Sequence, residues 1–151
     1  IATGASIGLS HIIALAAKKK GAKITGYSPC KNSFLHQNKS DNAPIQDFDE
    51  LYFNKNGFTA RSLNFLASVN ALLMLSGRIG TLSEFTIAFE EGIPVFILKG
   101  FGGISDHIEQ ILNLTKKESR ANIHISLNQE DLIDELLEFL DTNYYTKRKP
   151  E

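Results

Sequence analysis

The sequence is short of several things that would have decided its class at once. Cysteine occurs once, as Cys30. A lone thiol closes no internal disulfide, so a disulfide-stapled secreted domain is excluded and a reducing cytoplasm is the expected compartment. No apolar stretch approaches the roughly 20 residues that cross a bilayer, so no membrane role is expected. Neither charge sign dominates: 16 Lys plus Arg face 17 Asp plus Glu. A broad basic face for nucleic acid is therefore not expected, and a single-strand DNA binder is disfavoured on the same ground. The four histidines, His11, His36, His107 and His124, lack zinc-ligand spacing and give Cys30 no partner. They are expected at surfaces or interfaces, with no metal and no cofactor. No Gly-Lys-Ser/Thr follows a glycine loop, and no Gly-x-Gly-x-x-Gly occurs. Neither an initiator methionine nor a signal-peptide pattern precedes Ile1. Since Ile1-Ala2-Thr3-Gly4 reads as the end of a buried strand, the domain is expected to lack its first strand and helix.

What is present is a regular alternation. With 42% hydrophobic residues in 151, the chain can bury one substantial core, and a single domain over residues 1–143 is expected. Short apolar runs at Ile1–Thr3, Lys23–Tyr27, Ala71–Ser76, Pro94–Leu98 and Ile123–Ser126 read as strands. Amphipathic stretches at Ile7–Lys20, Thr59–Ser68, Leu82–Glu91, Ser105–Leu114 and Glu130–Leu140 read as helices. Gly21 and Gly92 are placed to end helices and Asn128 to cap one. This order predicts an α/β fold of βαβ units, a three-layer parallel sheet with helices on both faces. Ser28 to Asn56, polar and poor in apolar residues, is predicted to be a long loop with one short strand at Leu51–Phe53. Tyr144–Glu151 is predicted to be a solvated tail.

In such sheets ligands sit beyond the carboxyl ends of the strands. Three glycine-rich loops fall there: Gly4-Ala5-Ser6-Ile7-Gly8, Gly77-Arg78-Ile79-Gly80 and Gly100-Phe101-Gly102-Gly103. Their clustering points to an anion or nucleotide site. The stretch SGRIGTLSEF, Ser76 to Phe85, carries two of these glycines and places Glu84 three residues after Thr81. That spacing is a capping box, with Glu84 in the first helical turn, and equally a phosphate-binding turn followed by a carboxylate. Arg61, on the helix before, is either an ordinary surface arginine or a ligand for phosphate or carboxylate. Asp106 reads as a helix-start carboxylate or as a ribose ligand.

Thr59-Ala60-Arg61, a helix, an apolar strand and then Gly77-x-x-Gly80-Thr81-x-x-Glu84 together resemble the Lonely guy (LOG) family, once labelled possible lysine decarboxylases. The family's Pro-Gly-Gly-x-Gly-Thr-x-x-Glu motif lies at the same separation from an upstream arginine. TGASIGLSHIIALAAKKKGAKITGYSP is similar to its first glycine loop, helix and strand, and the resemblance runs from Ile1 to about Leu114. It implies a Rossmann-like, usually dimeric protein. Its activity would be that of a phosphoribohydrolase, cutting the N-glycosidic bond of a nucleoside 5′-monophosphate to give free base and ribose 5-phosphate. Carried over by position, Arg61 and Glu84 match the catalytic pair. Gly77, Gly80 and Thr81 match the phosphate turn, and Gly4, Ser6 and Gly8 match the first glycine loop. Two departures stand out. Ser76 replaces the motif's proline, and Arg78 replaces its second glycine, which adds either a phosphate contact or an obstruction. The wider superfamily also holds a molybdenum-cofactor carrier without turnover, so a non-catalytic nucleotide or cofactor binder is the alternative.

Overall fold

The computed structural model describes residues 1–118 and 120–145. Two compact units divide the chain, Ile1–Val69 and Asn70–Glu151. The tail expected from Tyr144 onwards lies, from residue 146, outside the described residues.

The first unit is built on a three-stranded parallel sheet of β1 (Ala2–Thr3), β2 (Thr25–Ser28) and β3 (Glu50–Phe53), in that order. Between β1 and β2 runs α1 (Leu9–Lys18), an alanine-rich helix ending on lysines that complement its carbonyl end. One face of the sheet packs Ile24 with Ala14 and Leu15 of α1 and with Phe48 and Leu51. Gly26 lies on this face; a Cβ there would meet Leu51 and Phe48 at 2.6 and 2.7 Å, so a side chain would force these strands and their cover apart. The opposite face carries Tyr27 and Tyr52, direct partners across the parallel ladder. It is covered by α3 (Gly57–Leu66), whose Phe65 ring lies 5.8 Å from Tyr27.

The long polar segment is more ordered than its composition predicts. It holds β3, a helix α2 (Ser33–Gln37) and a 3-10 turn at Ile45–Asp47. Few apolar residues are needed because polar groups do the anchoring. The Asn32 side chain caps α2 through Leu35 N–H at 2.9 Å. His36, 1% exposed, bridges Ser28 Oγ and the Ala43 carbonyl, each at 2.8 Å. The expectation of surface histidines therefore fails for His36 and also for His11, which is buried on α1 and pairs with Asp47 at 2.8 Å. Asp49 accepts from Ile24 N–H at 2.7 Å and pairs with Lys18 at 3.0 Å; the backbone hydrogen bond first, and then Lys18, hold its carboxyl below the ordinary value.

A second parallel sheet, in the order β4 (Leu72–Leu75), β5 (Val95–Leu98) and β6 (Ile123–Ser126), forms the other unit. The central strand β5 is buried along its whole length, as a near-continuous apolar run requires. Phe96 and Leu98 pack with Leu73 and Leu75 under Leu132, Leu136 and Phe139 of α6 (Gln129–Leu140). Leu72, Met74, Val95 and Ile97 point the other way and are also buried or nearly so, with α4 (Ile79–Glu91) packed against β4 and β5. A 3-10 turn at Ile104–His107 leads into α5 (Ile108–Thr115). The cap predictions hold here. Gly92 ends α4 in the left-handed region, and Asn128 starts α6 by accepting from Glu130 N–H at 2.9 Å. Among the described residues no helix is long and apolar enough to cross a membrane.

Candidate functional site

In the first unit, β1 runs out at Gly4 and α3 lays the Arg61 side chain across it. A Cβ on Gly4 would overlap Arg61 Nη1 and sit 3.1 Å from Cζ, so glycine is what lets the guanidinium lie there. Arg61 is only 8% exposed, with the Phe58 ring centroid 6.0 Å from Cζ. It is therefore not the ordinary surface arginine its sequence context allowed. The rest of the first glycine loop is strapped down rather than open. Ala5 N–H donates to Thr3 Oγ1 at 3.3 Å, Ile7 N–H to the Asp41 carbonyl at 2.9 Å, and Ser6 bridges to Asn42. Gly8 is the residue before α1, at φ +140°, with open space where a Cβ would stand. Beside Arg61, at the carboxyl ends of β2 and β3, opens a pocket of about 280 Å³ walled by Tyr27, Tyr52, Phe53, Asn54 and Asn64.

In the second unit the glycine turn after β4 corrects the capping-box reading. Ser76 and Gly77 both have positive φ, +59° and +102°, and reverse the chain at once. The helix can then start at Ile79, with Arg78 in the extended cap position and no side-chain cap bond. Thr81 is thus the third helical residue and not the cap. Its side chain folds back on Gly77, where a Cβ would overlap Oγ1. Glu84 falls beyond the first turn, which contains no acidic residue. Gly80 lies in the first turn, exposed, with open space around it. The same backbone explains the first departure from the LOG pattern: proline holds φ near −65°, so Ser76 at +59° stands where proline could not.

The second and third glycine loops are fastened to each other. Ser105 Oγ donates to the Ser76 carbonyl at 2.6 Å, and Ile104 N–H donates to the Gly77 carbonyl at 3.0 Å. Asp106 accepts from Gly100 N–H and Gly102 N–H at 2.7 and 2.9 Å, so both its oxygens organise the loop before the helix. The structure thus brings Arg61 to Gly4 within the first unit, and Ser76, Gly77, Thr81 and Gly103 together within the second. Among the described residues no three His, Cys, Asp or Glu side chains converge on a metal position.

The arginine seat and the glycine turn leading into α4 are the two features the LOG resemblance turns on. The model of the SLOG cluster4 family matches residues 1–133. The chain belongs to that family. The SLOG superfamily includes the LOG proteins, so the resemblance drawn from Arg61, Gly77, Gly80, Thr81 and Glu84 holds at that level. The fold is also that of TM1055, a structural genomics target solved by X-ray crystallography. The TM-score is 0.76 at 22% identity, over 91% of this SLOG chain and 76% of TM1055. That likeness confirms the Rossmann-like α/β architecture. Among curated proteins none matches the chain significantly.

Sequence reasoning missed the pocket residues Tyr27, Tyr52, Asn54 and Asn64. A signal existed: Tyr27 and Tyr52 each lie near the end of a short strand, and parallel pairing places such residues side by side. The strand at Leu51–Phe53 was expected, but its pairing in register with β2, which sets Tyr52 beside Tyr27, is not written in the sequence.

Proposed function

We propose that this SLOG protein binds a nucleoside 5′-monophosphate and hydrolyses its base–ribose bond. The observation that carries the reading is Arg61, buried, seated on Gly4 and lining a pocket at the strand ends where parallel sheets bind ligands. A guanidinium held this way is arranged for an anionic ligand, and family membership favours a nucleotide-related one. The roles of Gly77, Gly80 and Thr81 towards phosphate, and of Glu84 towards the sugar, come from the LOG pattern. As the glycosidic bond breaks, the ribose gains oxocarbenium character, which a carboxylate stabilises while it orients the attacking water.

Because Thr81 and Glu84 form no capping box, Glu84→Gln removes a charge without removing a cap. In an assay of free base released from AMP, GMP and UMP, Glu84→Gln is expected to lower turnover about 100-fold, typical for loss of one acid–base group. Unfolding midpoints should stay near wild type. Arg61→Ala should weaken nucleotide binding as well. Full activity in Glu84→Gln would remove the carboxylate from the mechanism. A second reading, binding without turnover, is favoured by Arg78 at the head of α4, where the LOG pattern has a bare glycine. Tight nucleotide binding by wild type with no base released would establish that reading instead.

The protein is further proposed to work as a cytoplasmic homodimer. Leu9 and Ile12 on α1 and Phe58 and Leu63 on α3 expose apolar surface that a second copy would cover. Light scattering at micromolar concentration is expected to give twice the chain mass, and a monomer mass would refute it.

A further inference from the structure

The pocket beside Arg61 has a chemistry of its own. Its main wall is aromatic: the Tyr27 and Tyr52 rings stack at 5.3 Å between centroids and 26° between planes. Phe65 backs Tyr27 from α3, while Tyr52 stays 52% exposed, with ring surface still open to a ligand. The Tyr52 hydroxyl is tied back to Glu50 at 2.9 Å, and that hydrogen bond holds the phenol pKa above its ordinary value. The phenol is therefore neutral at physiological pH, and the ring is held in place from its far end.

The floor is fixed as well. His36 Nε2 faces a backbone carbonyl and so donates to it, while Nδ1 lies 2.8 Å from Ser28 Oγ. Ser28 Oγ in turn accepts from Cys30 N–H at 3.1 Å. At the side, Asn54 Oδ1 accepts from Asn56 N–H at 2.9 Å, which orients the amide. Its Nδ2 is buried and has no hydrogen-bond partner among the described residues. The pocket therefore pairs a rigid π-surface with an uncommitted donor and the Asn64 amide, next to a guanidinium. A volume of about 280 Å³ is close to the lower end of the roughly 300 Å³ and above found for small-molecule sites.

We infer that this pocket takes the flat heteroaromatic ring of the ligand, a nucleobase stacked on Tyr52 with a ring or carbonyl acceptor towards Asn54. The inference rests on the nucleotide reading above and assigns the base to residues of the first unit. A saturated group of the same size would leave the π-face unused.

Calorimetric titration with AMP, GMP, UMP and ribose 5-phosphate tests it, using wild type, Tyr52→Ala and Tyr52→Phe. Tyr52 is exposed, so both variants are expected to fold, which far-UV dichroism checks. Wild type should bind the nucleotides more tightly than ribose 5-phosphate. Tyr52→Ala should weaken the nucleotides about 10-fold, the scale of one base–aromatic stack, and leave ribose 5-phosphate unchanged. Tyr52→Phe should keep most of the affinity. Since the chain has no tryptophan, tyrosine emission reads the same event: nucleotides should quench it in wild type and less in Tyr52→Ala. Nucleotides that bind equally well to wild type and Tyr52→Ala, or no more tightly than ribose 5-phosphate, would overturn the base pocket and leave the nucleotide reading standing. If wild type binds no nucleotide at millimolar concentration, both fall.

Discussion

Gly103→Ala is expected to destabilise the protein by about 3 kcal/mol or more, because two independent penalties coincide at one residue. Gly103 sits at φ +74°, ψ −165°, a region that residues with a side chain avoid almost completely. A Cβ there would also lie 2.5 Å from the Gly77 carbonyl oxygen, 2.6 Å from Ser76 Oγ and 2.8 Å from Gly77 N. Two of these three atoms are backbone, and the Ser76 and Gly77 carbonyls are already held by hydrogen bonds from Ser105 and Ile104. The obstruction cannot rotate away as a long side chain would. Relief requires the turns after β4 and β5 to separate, which breaks those bonds. Gly102→Ala is the internal comparison. Gly102 also has positive φ, +76°, but nothing lies within 4 Å of its Cβ position, so only backbone strain of about 1 kcal/mol is expected. Urea midpoints of the two variants against wild type check the difference. Equal losses would mean that the two glycine loops are not packed as described.

The alternation of strands and helices was legible because it rests on burial, which apolar residues report directly. Val95–Leu98, buried throughout, is such a case, and Gly92 and Asn128 were legible because their cap roles follow from single-residue chemistry. The start of α4 was not legible. Thr81 and Glu84 have the right spacing for a capping box, but where a helix begins depends on how soon the chain turns. Here that was decided by the positive φ of Ser76 and Gly77. Nothing in a serine announces a left-handed conformation. Apart from its strand at Leu51–Phe53, the segment from Ser28 to Asn56 was not legible for a different reason. Its order comes from buried polar contacts, His36 with Ser28 and Ala43, and from the Asn32 cap on Leu35, which leave no periodic apolar trace. The site followed the same division. Arg61 is singled out in the sequence by its spacing from the glycine turn, whereas its burial on Gly4 and the neighbouring tyrosine pair needed three dimensions.

That burial makes Gly4→Ala the substitution with the largest expected effect on ligand binding for the least damage to the fold. Gly4 is not at positive φ, so alanine meets no backbone strain there. The atom it strikes is the far end of a long side chain, which can move aside. Stability should fall less than in Gly103→Ala, since what must move is a side chain and no backbone strain is added. The guanidinium, however, cannot stay where it is. If Arg61 holds the anionic part of the ligand, nucleotide affinity should drop about 10- to 100-fold, the range for losing a charge-assisted hydrogen bond. The loss should match that of Arg61→Ala, and the double variant should be no worse than either alone, because Gly4 acts only through Arg61. Titrations of the three variants with one nucleotide measure this directly. Additive losses would mean that Gly4 touches the ligand itself, as the phosphate-loop reading of Gly4, Ser6 and Gly8 holds. An unchanged affinity in Gly4→Ala would mean that the seat of Arg61 has no part in binding.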